Sequence, residues 1–143
     1  MMLAVLLGAR ELSELTPYLD RNTTDTFRSL VVTHGDANAR RSDNNKTILM
    51  YAVWVGNDDA VYYLMAKGAD VNARDAEGVT PLLLAIFKDR TDIALSLIDH
   101  GADVKTSAND GTTPLMMARV RGNERVEQAI LEQIQPTPKE TTP

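Results

Sequence analysis

The fold is decided by residues 75–107, which read Asp-Ala-Glu-Gly-Val-Thr-Pro-Leu-Leu-Leu-Ala-Ile-Phe-Lys-Asp-Arg-Thr-Asp-Ile-Ala-Leu-Ser-Leu-Ile-Asp-His-Gly-Ala-Asp-Val-Lys-Thr-Ser. Shifted by 33 residues, this stretch matches its neighbours on both sides. Downstream, five residues recur at the same spacing, namely Gly78, Thr80, Pro81, Leu82 and Ala85 as Gly111, Thr113, Pro114, Leu115 and Ala118. Upstream, the Gly-Ala-Asp-Val of 101–104 repeats that of 68–71. A fixed period in this range is typical of stacked-repeat proteins.

The Thr-Pro-Leu start, the Gly-Ala-Asp-Val end and the period resemble the ankyrin repeat. The resemblance implies an all-α solenoid of stacked helix-turn-helix units joined by hairpin-like turns. It covers three clear repeats, at 42–74, 75–107 and 108–134. We expect residues 1–41 to form a degenerate N-terminal cap. The cap and the three repeats together make up one domain, 1–134. The family's Thr-Pro-Leu-His histidine is replaced by Met50, Leu83 and Met116, so these repeats should rely more on apolar packing.

Composition sets bounds on the class of protein. A chain of 143 residues with 43% apolar residues predicts one domain with a core of its own. The net charge of −5 and the absence of any basic run disfavour nucleic-acid binding. There is no cysteine, which excludes disulfides and thiolate zinc sites and fits a cytoplasmic protein. A periplasmic location is the alternative, if an upstream signal segment was removed.

Each predicted inner helix has a start signal and a stop signal. Thr47, Thr80 and Thr113 are the expected N-caps, because a threonine hydroxyl can accept a bond from a free N–H of the first turn. The latter two are followed by proline, which suits the first helical position. The helices should break at residues that tolerate a left-handed conformation, namely Gly56, Asp89 and Gly122.

The two ends of the chain differ from the repeats between them. The outer helix of the third repeat is rich in Glu, Gln and Arg, as a terminal capping repeat requires, and 135–143 is predicted to be a disordered tail. At the other end, residues 1–41 allow two layouts. Either they form one repeat lengthened by about 15 residues between Leu15 and Phe27, or helices at 11–20 and 25–34 follow an extra cap at 1–7.

No catalytic constellation is present, so we expect no enzyme, cofactor or metal site. The chain has no cysteine nucleophile, no Gly-x-Ser-x-Gly, no phosphate-binding Gly-x-x-x-x-Gly-Lys loop and no His-Glu-x-x-His. His34 and His100 precede Gly35 and Gly101 at matching helix ends, where the helix dipole favours a cation. Asp58 and Asp59 open an outer helix, which suits their negative charge for the same reason.

The resemblance also implies where a partner protein binds, because ankyrin partners commonly contact the hairpin tips and the concave ends of the inner helices. By position, the tips are Asp43, Asn44, Lys46, Ala76, Glu77, Val79, Asn109, Asp110 and Thr112. The concave ends are Trp54, Val55, Phe87, Lys88, Val120 and Arg121. Trp54, Phe87 and Val120 are 33 residues apart, so stacking should align them in an apolar row that either contacts the partner or packs between repeats.

The resulting hypothesis is a monomeric, non-catalytic protein that binds one other protein, without membrane insertion. Because small stand-alone ankyrin-repeat proteins are frequent in bacteria, a bacterial source is expected. Some similar proteins inhibit toxins or serve as immunity proteins, which is the narrower form of the hypothesis. The alternative is a structural or tethering adaptor attached through its N-terminal segment, which would lose one of two partners on deletion of residues 1–25.

Overall fold

The computed structural model describes residues 37–136, which form three pairs of antiparallel helices. The inner helices are α1 (Ile48–Val55), α3 (Pro81–Phe87) and α5 (Pro114–Arg121). The outer helices are α2 (Asp58–Ala66), α4 (Thr91–Asp99) and α6 (Glu124–Ile134). The prediction of an all-α repeat solenoid is confirmed for this part of the chain. The N-terminal layouts, His34 and residues 137–143 of the predicted tail lie outside the described residues.

The predicted threonine caps begin all three inner helices. The hydroxyls of Thr47, Thr80 and Thr113 accept hydrogen bonds from the backbone N–H three residues later, at 3.2, 3.3 and 3.2 Å. Asn57 and Asn123 cap the outer helices α2 and α6 in the same way. These bonds satisfy donors that a helix start leaves free, so side-chain caps define where these five helices begin. The remaining helix, α4, follows Arg90, which makes no side-chain cap bond.

The predicted breaks between inner and outer helices are also confirmed. Gly56, Asp89 and Gly122 all have positive φ, at 71°, 55° and 66°. Asp89 is the one non-glycine residue of the three, and α3 ends one residue earlier in its repeat than α1 and α5 do. Asn45, which stands at the glycine position of the first hairpin turn, has φ 59°, a left-handed conformation that asparagine tolerates better than most residues.

The core lies between the helix layers and continues from one repeat to the next. Each inner helix packs against its own outer helix, and adjacent inner helices pack against each other. Ala52, Ala85 and Ala118 are fully buried, which allows adjacent inner helices to approach closely. Leu64, Leu97 and Ile130 are the equivalent buried residues of the outer helices. The 33-residue period of the sequence is therefore the period of the core.

The third repeat ends the apolar stack on its outer side. Val53 and Ile86 occupy equivalent positions of the first two inner helices and are buried. The third repeat has Arg119 at this position. Arg119 Nε donates to Glu127 Oε1 at 2.8 Å, and both side chains reach solvent. A further repeat stacked in the same way would have to bury this ion pair, which is costly. The role of the third repeat as the C-terminal cap stays a prediction, which this polar face supports.

Polar ladders also join the repeats along the loops that follow the outer helices. Asn38 Nδ2 donates to Gly68 O at 3.0 Å, and its Oδ1 accepts from Asp70 N at 2.8 Å. Asn72 repeats both bonds one repeat later, with Gly101 and Asp103. These bonds tie the loops of adjacent repeats together. No helix among the described residues is long and apolar enough to cross a membrane.

Candidate functional site

An open groove of about 260 Å³ lies between the hairpin turns and the inner helices of the repeats. Its lining is mostly apolar, with polar side chains on the side of the turns. The apolar lining residues are Trp54, Val79, Leu83, Leu84, Phe87, Ala108 and Met117, and the polar ones are Lys46, Glu77, Asp110 and Thr112. A hollow of about 160 Å³ shares Lys46, Trp54 and Leu84 with the groove and adds Met50 and Tyr51.

Two aromatic side chains project into this groove. Trp54 is 50% exposed and Phe87 is 48% exposed, although the residue before each of them on its inner helix, Val53 or Ile86, is buried. The third member of the predicted row, Val120, is 83% exposed but does not line the groove, and neither does Val55. Val120 lies on α5, and no further inner helix follows it among residues 37–136 to form the second wall. The role of Val55 and Val120 in partner binding stays a prediction.

A cation from the following repeat covers part of each aromatic ring. Lys88 Nζ lies 4.2 Å from the centre of the Trp54 ring, and the Arg121 guanidinium carbon lies 6.0 Å from the centre of the Phe87 ring. Arg121 also forms an ion pair with Asp89, with Nε 3.1 Å from Oδ1. Such contacts restrict the rotamers of the aromatic side chains, so the groove presents them in a defined orientation.

Lys46, on the side of the turns, has a structural partner within the protein. Its Nζ donates to Asp75 Oδ2 at 2.7 Å, while Asp75 Oδ1 accepts from the N–H groups of Glu77 and Val79 at 2.9 Å. The Asp75 side chain is only 1% exposed. Burial alone would raise the pKa of Asp75, but the bonds from Lys46, Val79 and Glu77 together lower it. The ion pair links the first and second hairpin turns.

The rim of the groove on the side of the turns is acidic. Glu77 and Asp110 occupy the same position in consecutive turns. Asp110 Oδ1 accepts from Thr112 N at 2.9 Å, and this backbone bond lowers the pKa of Asp110. Among residues 37–136, no Lys or Arg forms an ion pair with either carboxylate. Both are therefore available to an external cation.

Four predicted tip residues shape the turns and do not line the groove. Ala76 N donates to Asn44 O at 2.9 Å, and Asn109 N donates to Glu77 O at 2.9 Å. The Asn109 side chain adds a bond to Ala76 O at 3.1 Å, and Asp43 forms an ion pair with Arg41 at 2.8 Å. The bonds of Ala76 and Asn109 connect each turn to the next and hold the acidic rim as a continuous edge, whereas the Arg41–Asp43 pair lies within one turn.

The sequence interpretation missed several apolar lining residues, although a signal for them existed. Leu83 and Leu84 lie four and three residues before Phe87, which places them on the same helix face. Met50 and Tyr51 have the same relation to Trp54. Met117 is one repeat after Leu84. Extending the predicted row back by one helical turn would have identified all of them.

The described residues contain no group of three or more His, Asp or Glu side chains placed to hold a metal ion. His100 follows α4, where its Nδ1 lies 2.7 Å from Ser96 O, a contact within the helix end. Asp58 and Asp59 lie in the first turn of α2, as predicted. Each of these polar residues thus has a structural explanation at a helix end.

Stacked helix pairs, an apolar groove and bonded hairpin turns define an all-α repeat solenoid with a surface suited to contact another molecule. A family model described as ankyrin repeats (3 copies) matches residues 18–75 and 73–140. Because these matches cover most of the chain, the protein belongs to the ankyrin-repeat family. Ankyrin repeats are generally protein–protein interaction modules, and the family is typically non-enzymatic.

Proposed function

We propose that this protein is a non-catalytic binding module that recognises another protein through its groove and hairpin tips. The observation that supports this most strongly is the pair of half-exposed aromatic side chains, Trp54 and Phe87, in a groove of about 260 Å³. Aromatic side chains in such positions supply much of the binding energy of protein interfaces, provided that a partner desolvates them. Their cation contacts and the bonded turns prepare the surface before binding, which lowers the entropic cost of association.

A narrower proposal is that occupying the groove silences the partner, as an inhibitor or immunity protein does. In that case the partner is a toxin or effector, and its activity falls in proportion to the complex formed. A variant that loses binding then also loses inhibition. We propose that the protein binds its partner, and inhibits it, as a monomer in the cytoplasm.

The experiment is affinity capture from a lysate of the source organism, with the bound proteins identified by mass spectrometry. Three versions of the purified protein are used: the wild type, a test variant and a control. The test variant is Trp54→Ala/Phe87→Ala. The matched control is Tyr62→Ala, which removes an aromatic side chain that is 44% exposed on α2 and does not line the groove. We expect a partner that the wild type and the control retain and the test variant loses, with a binding loss of about 2 kcal/mol or more.

Equal capture by the groove variant would contradict the proposal. A thermal melt of each variant separates binding from folding, because a buried aromatic costs about 3–5 kcal/mol of stability on truncation to alanine. The half-exposed side chains should cost less than that. The narrower proposal is tested on the captured partner by measuring its activity with and without wild-type protein.

A further inference from the structure

The charges around the groove are distributed unevenly between its two sides. On the side of the turns, Glu77 and Asp110 have no cationic partner among the described residues, and their turns are joined directly by the bond from Asn109 N to Glu77 O. Two neighbouring carboxylates without a counter-ion create a negative potential that attracts a basic group. This side of the groove is therefore suited to a Lys or Arg of a partner.

The cations near the groove are largely neutralised by the protein itself. Lys46 is paired with the buried carboxylate of Asp75, and Arg121 is paired with Asp89. Lys88 does not line the groove, and its ammonium is held over the Trp54 ring. The cation that lines the groove, Lys46, is therefore paired, whereas the two lining carboxylates, Glu77 and Asp110, are not. The net charge of −5 for the whole chain acts in the same direction.

The space between the rim and the inner helices is apolar. Leu83 and Leu84 are buried beneath it, and Trp54 and Phe87 border it with half of their surface exposed. A partner side chain that fills this space must be large and apolar, because a polar one would lose its hydration without a hydrogen-bond partner.

We propose that the groove binds a basic peptide segment in which a bulky apolar side chain is flanked by Lys or Arg. The apolar side chain inserts between Trp54 and Phe87, and the basic residue contacts the rim formed by Glu77 and Asp110. This inference rests on the proposed function of the groove and specifies its ligand. Nucleic acid and a second copy of this acidic chain are disfavoured as occupants, because the carboxylates of the rim would repel negative charge.

The test is a selection from a display library of short random peptides on the immobilised full-length protein. Binders are counter-selected on the Trp54→Ala/Phe87→Ala variant, so that the peptides recovered depend on the groove. We expect these peptides to be enriched in Lys or Arg next to Leu, Ile, Met or an aromatic residue. One such peptide is then synthesised together with a copy in which each basic residue is replaced by Glu, and the copy should not bind.

The rim is tested directly with Glu77→Gln/Asp110→Asn, in which the Asn side chain can still accept the bond from Thr112 N. The affinity of the selected peptide should fall roughly three- to tenfold at low salt. The difference should shrink at high salt, because screening weakens exposed charge pairs. The matched control is Glu124→Gln/Glu132→Gln, which removes two carboxylates from α6 outside the groove and should leave the affinity unchanged. Binding is followed by the fluorescence of Trp54, the single tryptophan of the chain.

Two results would overturn the inference and have different consequences. Groove-dependent peptides that lack basic residues, or that keep their affinity in the rim variant, would refute the basic ligand and leave the groove as a binding site. Recovery of peptides that bind the Trp54→Ala/Phe87→Ala variant equally well would refute the proposed function of the groove as well.

Discussion

Lys88 Nζ lies 4.2 Å from the centre of the Trp54 ring, and these two residues belong to consecutive repeats. Lys88 immediately follows Phe87, the residue equivalent to Trp54 in the next repeat. Arg121 is placed in the same way relative to Phe87, at 6.0 Å. The side of the groove formed by the inner helices is thus an alternating series of rings and cations, in which each repeat orients the aromatic side chain of the repeat before it.

The first prediction concerns this contact. Lys88→Gln removes the charge and keeps much of the chain length, so the Trp54 ring should gain rotamer freedom. We expect a change in the emission of the single tryptophan and a stability loss of about 0.5–1 kcal/mol, the value of an exposed cation–π contact. Lys67→Gln is the control, because Lys67 lies over Tyr63 on the outer layer, with its Nζ 5.6 Å from the ring centre. An unchanged Trp54 emission in Lys88→Gln would contradict the contact.

The second prediction concerns the buried carboxylate of Asp75. Asp75→Asn keeps an oxygen that can accept from Glu77 N and Val79 N, but it loses the ion pair with Lys46. The free energy of unfolding should fall by about 1–3 kcal/mol at neutral pH. Chemical denaturation of the variant and the wild type measures this difference.

The pH dependence of that difference has a defined sign. The pKa of Asp75 is lower in the folded protein than in the unfolded chain, where a value of about 3.9 is usual. Its stabilising contribution is therefore complete above the unfolded pKa and is lost as pH falls through the folded pKa. The stabilities of the wild type and Asp75→Asn should converge in this acidic range. A difference that stays constant down to the acid transition would assign the effect to packing.

The third prediction compares two glycines at the same repeat position. Gly56 and Gly122 have φ of 71° and 66°, but a Cβ at Gly56 would lie 2.5 Å from the Arg90 guanidinium carbon, whereas one at Gly122 meets nothing within 4 Å. Gly122→Ala should cost roughly 1–2 kcal/mol, for the backbone conformation alone. Gly56→Ala should cost more, because Arg90 must also move.

A double-mutant cycle separates the two contributions. In an Arg90→Ala background, Gly56→Ala should cost about as much as Gly122→Ala does in the wild type. Denaturant melts of the four proteins of the cycle provide the comparison. If the extra cost persists without Arg90, the overlap with its side chain is not the cause.

The fourth prediction concerns the polar cap. Arg119→Ile/Glu127→Ala gives the third repeat the two side chains that the second repeat has at Ile86 and Ala94, both of which are buried. The new apolar surface adjoins Met116, which is already exposed. Exposed apolar patches of this kind promote association, so we expect self-association that increases with concentration. Size-exclusion chromatography with light scattering measures it.

The control for the cap is Arg125→Ala/Glu124→Ala. It removes one basic and one acidic residue from α6, so the net charge changes as in the test variant. The positions equivalent to Glu124 and Arg125 in the earlier repeats are not buried apolar residues, so this variant does not recreate a stacking surface. Self-association of the control to the same extent would show that lost charge, and not the apolar surface, is responsible.

Most of the fold could be predicted from single residues because the repeat makes each signal occur several times. The Thr-Pro starts predicted the helix N-caps, and Gly56, Asp89 and Gly122 predicted the breaks. Leu64, Leu97 and Ile130 are 33 residues apart and are all fully buried, so burial also repeats with the period of the sequence. Residues 1–41 follow the repeat less regularly, and two layouts therefore remained open for them.

The candidate site could be predicted only in part. Equal spacing placed Trp54, Phe87 and Val120 in one row, but spacing does not tell whether a side chain is buried or which hollow it borders. The groove includes the first two and omits Val120. Lys46 was predicted as a contact residue, whereas its amine is bonded to Asp75, 29 residues away. Such a pair leaves no periodic signal, because Val79 and Ala108 occupy the equivalent positions in the next repeat.

The sequence by itself determined the helices, their caps and their stacking, because these depend on contacts within a repeat or at a constant spacing between repeats. Only the tertiary structure decided which charges around the groove are free. Lys46 is neutralised by Asp75 and Arg121 by Asp89, whereas Glu77 and Asp110 remain without a cation among the described residues. The reason is physical: ion pairing depends on distances of a few ångströms between side chains on different turns, and these distances exist only after the repeats have packed together.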